Sequence, residues 1–93
     1  MNRYEMLYII DAGASDESRE AVISKFENLV TTSGGTVEKI HKWGMNKLAY
    51  TIKFKDEGYY VLMTFSADGA LLKEIDRVAG ITDEVIRRMV TRC

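Results

Sequence analysis

The stretch from Thr36 to Phe54, nineteen residues rich in strand-forming types, sets the hardest limit on how this chain folds. Strands usually span about 5–6 residues, and at ~3.3 Å per residue this one would reach about 60 Å if straight. A domain of this size has a radius of gyration of only about 13 Å. The run must therefore bend, and Gly44 is the expected place, because a glycine inside a strand pattern marks a bulge. Beyond the bend the segment either lines a sheet edge or projects as an arm. Lys47, set in an otherwise apolar and aromatic strip, suits a partner that is part polyanion and part protein.

The rest of the chain supplies what surrounds that run. Arg3 to Asp11 alternates as a strand, with Tyr4, Met6, Tyr8 and Ile10 on one face and Glu5, Leu7 and Ile9 on the other. Ser15 or Asp16 caps a helix whose stripe is Val22, Ile23, Phe26, Leu29 and Val30, and Gly34-Gly35 stops it. Asp56-Glu57-Gly58 reads as the turn into a third strand, Tyr59 to Phe65. Asp68 caps a second helix with Leu71, Leu72, Ile75, Val78 and Ala79 on one side. Gly80 is expected to end it, with Ile81 packing back. Val85 to Arg92 is a fourth strand. The order β-α-β-β-α-β predicts an α+β, ferredoxin-like split βαβ, with four antiparallel strands and two helices on one face. Residues 1–93 form one domain, because the chain has no repeats, no linker composition and no proline.

Two helices cover only one side of such a sheet. With Tyr4, Met6, Tyr8, Ile10, Val61, Met63 and Phe65 facing them, Leu7, Ile9, Tyr60 and Leu62 are left on the other side as a contiguous apolar patch. A patch of that kind marks an interaction surface. Three of its four members are aliphatic, which suits an apolar protein partner better than nucleic-acid bases, where π-stacking is needed. Basic residues lie elsewhere: Arg3, Lys39, Lys42, Lys47, Arg87, Arg88 and Arg92. The first and fourth strands are neighbours in this topology, so Arg3 and Arg87 are expected to share a phosphate-binding edge. Edge-strand cations that discourage aggregation are the plainer reading of any single one. Trp43 and Tyr50 are more often packing than recognition, although an arm leaves them little core to enter.

Catalytic chemistry is hard to find. His41 has no second histidine or spaced cysteines beside it, so no metal site is expected. Cys93 is the one cysteine, with no histidine near it in sequence, which excludes an internal disulfide and points to a reducing compartment. Asp16, Glu17, Asp56 and Glu57 sit where capping and turns explain them. The loop Asp11-Ala12-Gly13-Ala14-Ser15-Asp16 would repel an anion, and Gly34-Gly35 follows a helix instead of opening one. Neither a catalytic residue nor a cofactor nor a small-molecule substrate is expected. No apolar run approaches the ~20 residues of a membrane span. A net charge of −1 means that any nucleic-acid contact must be local.

Arg3-Tyr4-Glu5, Trp43-Gly44 followed by Lys47-Leu48-Ala49-Tyr50-Thr51-Ile52, Gly58-Tyr59-Tyr60, and Val85-Ile86-Arg87-Arg88-Met89-Val90 resemble the bacterial small-subunit ribosomal protein six family, in order and spacing over essentially the whole chain. The resemblance implies a ferredoxin-like structural constituent of the cytoplasmic ribosome. It also implies binding to the central domain of small-subunit ribosomal RNA, cooperatively, as a heterodimer with ribosomal protein eighteen. A basic partner would share the electrostatic work of a near-neutral chain. By position Arg3, Tyr4 and Arg87 are the RNA candidates, joined by Lys47, Arg88 and Arg92. The parity of Tyr4 with Met6 points it toward the helices. Leu48, Tyr50, Tyr60 and Met89 join Leu7, Ile9 and Leu62 as candidates for the protein partner. The chain departs from many relatives at Thr51, where they carry proline, and at Cys93, where they continue into a polar tail. The alternative is a stand-alone single-stranded RNA-binding module of the recognition-motif type, which would lean on Tyr60. Weak self-association through the open face is a further expectation for the isolated protein.

Overall fold

The computed structural model describes residues 2–52 and 55–92, with the side chains of residues 49–52 and 55 outside that description. The elements are β1 (Asn2–Asp11), α1 (Asp16–Thr32), β2 (Thr36–Ile52), β3 (Lys55–Ala67), α2 (Gly69–Ile81) and β4 (Val85–Arg92). The sheet is antiparallel with strand order β2-β3-β1-β4, the ferredoxin-like arrangement read from the sequence. Cys93 and the Phe54 end of the long run lie outside the described residues, as does the side chain of Tyr50.

Period-two alternation on β1 and β3 builds the core. Tyr4, Met6, Tyr8 and Ile10 stand opposite Phe65, Met63, Val61 and Tyr59 in register, so their side chains share one face. Val22, Ile23, Phe26 and Val30 of α1, and Leu71, Ile75, Val78 and Ala79 of α2, close over it. Tyr8 and Phe26 meet with ring centroids 5.0 Å apart, Tyr4 and Phe65 at 5.8 Å. Ser15 is the cap of α1: its Oγ accepts from the backbone N–H of Ser18 at 3.1 Å. At the other end Gly34 takes φ +87° and the N–H of Gly35 donates to the carbonyl of Val30 at 2.9 Å.

Seventeen residues of β2 would span about 56 Å if straight, yet the longest dimension of the molecule is 37 Å. The strand bends where expected. Gly44 has φ +89°, and the pairing with β3 shifts register between Lys42 and Gly44, and again between Val37 and Lys39 and between Lys47 and Ile52. The turn expected at Asp56-Glu57-Gly58 is not there. Those residues belong to β3, which is thirteen residues long and pairs with β2 from Ile52 opposite Lys55 to Thr36 opposite Ser66. That extra length lets β2 pair with β3 as far as Lys47, opposite Glu57, and again at Ile52. Gly58 is held in the strand by a close approach: a Cβ there would lie 2.2 Å from Cγ2 of Ile9.

The end of α2 also differs from expectation. The helix passes through Gly80 to Ile81, which is 66% exposed instead of being packed back into the core. Thr82 closes the helix instead. Its backbone N–H reaches the carbonyl of Ala79, and its hydroxyl donates to the carbonyl of Val78 at 2.6 Å while accepting from Lys25 Nζ of α1 at 3.2 Å.

Candidate functional site: the open face of the sheet

Residues opposite one another in an antiparallel ladder share a face, so the register sorts every candidate. On the side away from the helices β1 presents Arg3, Glu5, Leu7 and Ile9, and β3 presents Ser66, Thr64, Leu62 and Tyr60. β4 contributes Thr91, Met89 and Arg87, opposite Glu5, Leu7 and Ile9. Neither helix covers this side. Leu7, Leu62, Met89 and Trp43, with Glu5 and Thr91, line a depression of about 310 Å³ that crosses all four strands. Met89 is 47% exposed and Trp43 51%. Large apolar groups left in water on one face are what an interaction surface looks like before it is covered.

Trp43, which the sequence reading leaves out of the apolar patch, lies on this face as well. Plain alternation from His41, which stands opposite Leu62, puts Trp43 on this face, but the shift at Gly44 is what seats it beside β3. Its ring lies 6.4 Å from that of Tyr60, nearly parallel at 11°, and the Tyr60 hydroxyl donates to the carbonyl of Lys47 at 3.3 Å. Tyr60 thus fastens the arm to β3 with one end and stacks with the other. Leu48, further along the arm, is half-buried. Ile9 lies on the open face, yet it is only 6% exposed, because Gly58 leaves room for it against the sheet and Ile86 closes on the same spot. It offers a partner little surface.

The basic candidates do not gather at one edge. Arg3 stands opposite Ser66, one position before the Tyr4–Arg92 pair, whereas Arg87 stands opposite Ile9. Six residues of strand separate them, roughly 20 Å, so the expected Arg3–Arg87 edge gives way to two clusters. At one end Arg3 pairs with Glu38 at 2.6 Å, and the Arg92 guanidinium donates to Asn2 Oδ1 at 2.9 Å. At the other end are Arg87, Arg88 and, across the sheet, the exposed Lys47 opposite Glu57. Arg88 and Arg92 have the parity of Tyr8 and Tyr4 and so point to the helix side, where Arg88 meets Asp76 of α2 at 2.9 Å. Lys42 also turns that way: its hydrogen bond to Glu20 of α1, 2.7 Å long, holds its ammonium above the usual lysine range. The ring of Tyr4 is in the core at 7% exposure, and only its rim, beside Val90 and Arg92, meets the surface.

Among the described residues no three His, Cys, Asp or Glu side chains converge to hold a metal ion. None of the described helices is long and apolar enough to cross a membrane.

Comparison with known proteins gives the family. The family model for ribosomal protein S6 matches residues 3–92. The small ribosomal subunit protein bS6 of Clostridium botulinum (strain Loch Maree / Type A3) is 47% identical over 90 residues, covering 97% of this chain and 96% of that one. Its counterpart from Thermoanaerobacter pseudethanolicus is 44% identical over 92 residues, with 99% and 97% covered. The crystal structure of 30S ribosomal protein S6 from Thermotoga maritima superposes with a TM-score of 0.93 at 31% identity, over 99% of this chain and 87% of that one. The chain therefore belongs to the ribosomal protein S6 family, structural rather than enzymatic constituents of the small subunit of the cytoplasmic ribosome.

Proposed function

We propose that this chain binds small-subunit ribosomal RNA, in its central domain, as one half of a heterodimer with ribosomal protein eighteen. The apolar open face meets the protein, and the two basic clusters meet phosphate. The depression lined by Leu7, Leu62, Met89 and Trp43 carries this reading, because it is large, apolar and uncovered by either helix. Arg3 and Arg92 at one end, and Lys47, Arg87 and Arg88 at the other, lie far enough apart to touch separate stretches of backbone, with the rim of Tyr4 beside the first cluster. A net charge of −1 leaves such a chain with little general pull on RNA. Burying the open face against a basic partner would unite two sets of phosphate contacts on one composite surface, and this is the source of cooperativity.

A stand-alone single-strand binder would need free aromatic faces on the central strands. Here Tyr60 is already stacked by Trp43, and its neighbours Leu7 and Leu62 are aliphatic. RNA affinity measured for the chain alone and with protein eighteen tests the proposal. The expected result is a large gain with the partner, abolished by Leu62→Glu. Equal affinities would end it.

A further inference from the structure

Within the open face one group is out of character. Glu5 lies on the central strand β1, half-buried, between Thr64 of β3 and Thr91 of β4 in register. It lines the same depression as Leu7, Leu62, Met89 and Trp43. Among the described residues its carboxylate makes no hydrogen bond or ion pair, while its neighbour Arg3 is bonded to Glu38. Water solvates that carboxylate as long as the face is open. A protein laid over the face removes the water, and an ionised group buried without a partner is strongly unfavourable. An RNA phosphate brought there would add repulsion to desolvation. A cation carried by the occupant answers both costs.

We infer that the depression is the seat of an arginine side chain supplied by the protein that covers the open face, its guanidinium paired with the Glu5 carboxylate. The argument rests on the reading of that face as protein-binding. Arginine fits the surroundings better than lysine. A planar guanidinium engages a carboxylate through two parallel N–H donors and packs against an aromatic wall such as Trp43, whereas an ammonium is a compact and strongly hydrated charge. Its methylene stem suits the floor of Leu7, Leu62 and Met89. The two threonines beside Glu5 are short, so they leave the carboxylate open to approach. Charge complementarity at the centre of an otherwise apolar contact fixes the register of the partner.

Titration of ribosomal protein eighteen into the parent protein, Glu5→Gln and Leu62→Glu separates the possibilities. The thermal unfolding of each variant is checked first, and Glu5→Gln keeps the shape of the side chain. Weakening of about 10-fold or more by Glu5→Gln, with a further loss in Glu5→Lys, supports the arginine seat. So does restoration of Glu5→Lys by an arginine-to-glutamate change at one position of the partner. Binding of Glu5→Gln within about twofold of the parent, or tighter, overturns it while leaving the protein-binding face intact if Leu62→Glu still fails. If Leu62→Glu also binds like the parent, the reading of the face itself is lost. A rise in RNA affinity of the unpartnered Glu5→Gln protein, with no change toward protein eighteen, would assign the depression to RNA and end the inference.

Discussion

The two faces of β1 are built from one ten-residue strand by the same alternation, and they end in opposite states. Tyr4, Met6, Tyr8 and Ile10 are sealed by α1 and α2, and Phe26 completes the seal without any exposure of its own. Arg3, Glu5 and Leu7, one residue out of step, stay open on a face where Met89 and Trp43 also remain in water. Hydrophobic residues on both faces of a central strand normally mean cover on both faces. Here the chain supplies only half of it. Strand parity thus divides the burial: the even positions from Tyr4 to Ile10 are sealed in the core, and of the odd ones only Ile9 is buried by the chain itself.

That division is tested hardest at Phe26. Truncation to alanine removes a fully buried ring from against Tyr8 and should cost about 3–5 kcal/mol in urea unfolding. This is a large share of the roughly 5–15 kcal/mol that holds a typical domain. Leu62→Ala, on the open face, should cost no more than about 1–2 kcal/mol while weakening partner binding. Comparable losses at the two sites would mean that the open face is already part of the core. The second effect belongs to a place where the open face is packed by its own chain. Gly58→Ala sets a methyl 2.2 Å from Cγ2 of Ile9, a branched side chain with little room to turn, and should destabilise by about 1–3 kcal/mol. A neutral result would show that Ile9 is free to swing outward and join the interaction surface.

Much of this was readable from residue order, and the failures share a cause. The alternation on β1, a helix cap at Ser15 or Asp16 and the stop at Gly34 each depend on a few adjacent residues, and the structure bears them out with Ser15 as the cap. The same holds for the bend at Gly44. Asp56-Glu57-Gly58 misled because its composition is that of a turn, while the reason Gly58 lies in a strand is Ile9, forty-nine positions away. Arg3 and Arg87 looked like neighbours because their strands are adjacent, but only the register shows that they sit at opposite ends. Trp43 and Glu5 enter the depression through the same long-range pairing. Ile81 was expected to pack because a glycine preceded it, yet a threonine bonded to Val78 and Lys25 closes the helix.

The bend itself gives a smaller effect. At Gly44 a Cβ would touch nothing within 4 Å, so alanine there is opposed only by the φ of +89° and should cost about 1 kcal/mol. Its consequence for recognition should exceed its consequence for folding, because Gly44 seats Trp43 over Tyr60. A Gly44→Ala protein that unfolds near the parent temperature but binds protein eighteen several-fold more weakly would sharpen the contrast between the two faces. Unchanged binding would separate the arm from the site.

The smallest effect at neutral pH comes from the sealed face and carries the most specific sign. The Tyr8 hydroxyl is buried without a hydrogen-bond partner among the described residues, the converse of Glu5, whose polarity faces water. Replacing it by phenylalanine removes an unsatisfied group and should stabilise by up to about 1 kcal/mol at pH 7. Burial first, and then the nearby carboxylates of Glu20 and Glu27, push the hydroxyl well above the ordinary tyrosine range. Below about pH 10 both folded and unfolded chains keep this proton, and the stability it accompanies is fully present. Above that, the unfolded chain ionises while the folded one does not, so the parent loses up to about 1.4 kcal/mol per pH unit that Tyr8→Phe retains. Tyr4, Tyr50, Tyr59 and Tyr60 remain in both proteins and largely cancel from the difference. Unfolding free energies of parent and variant should therefore diverge between pH 10 and 11, with the variant above. Curves that stay parallel would mean that the hydroxyl reaches water after all, and that the helices close this face less tightly than their packing indicates.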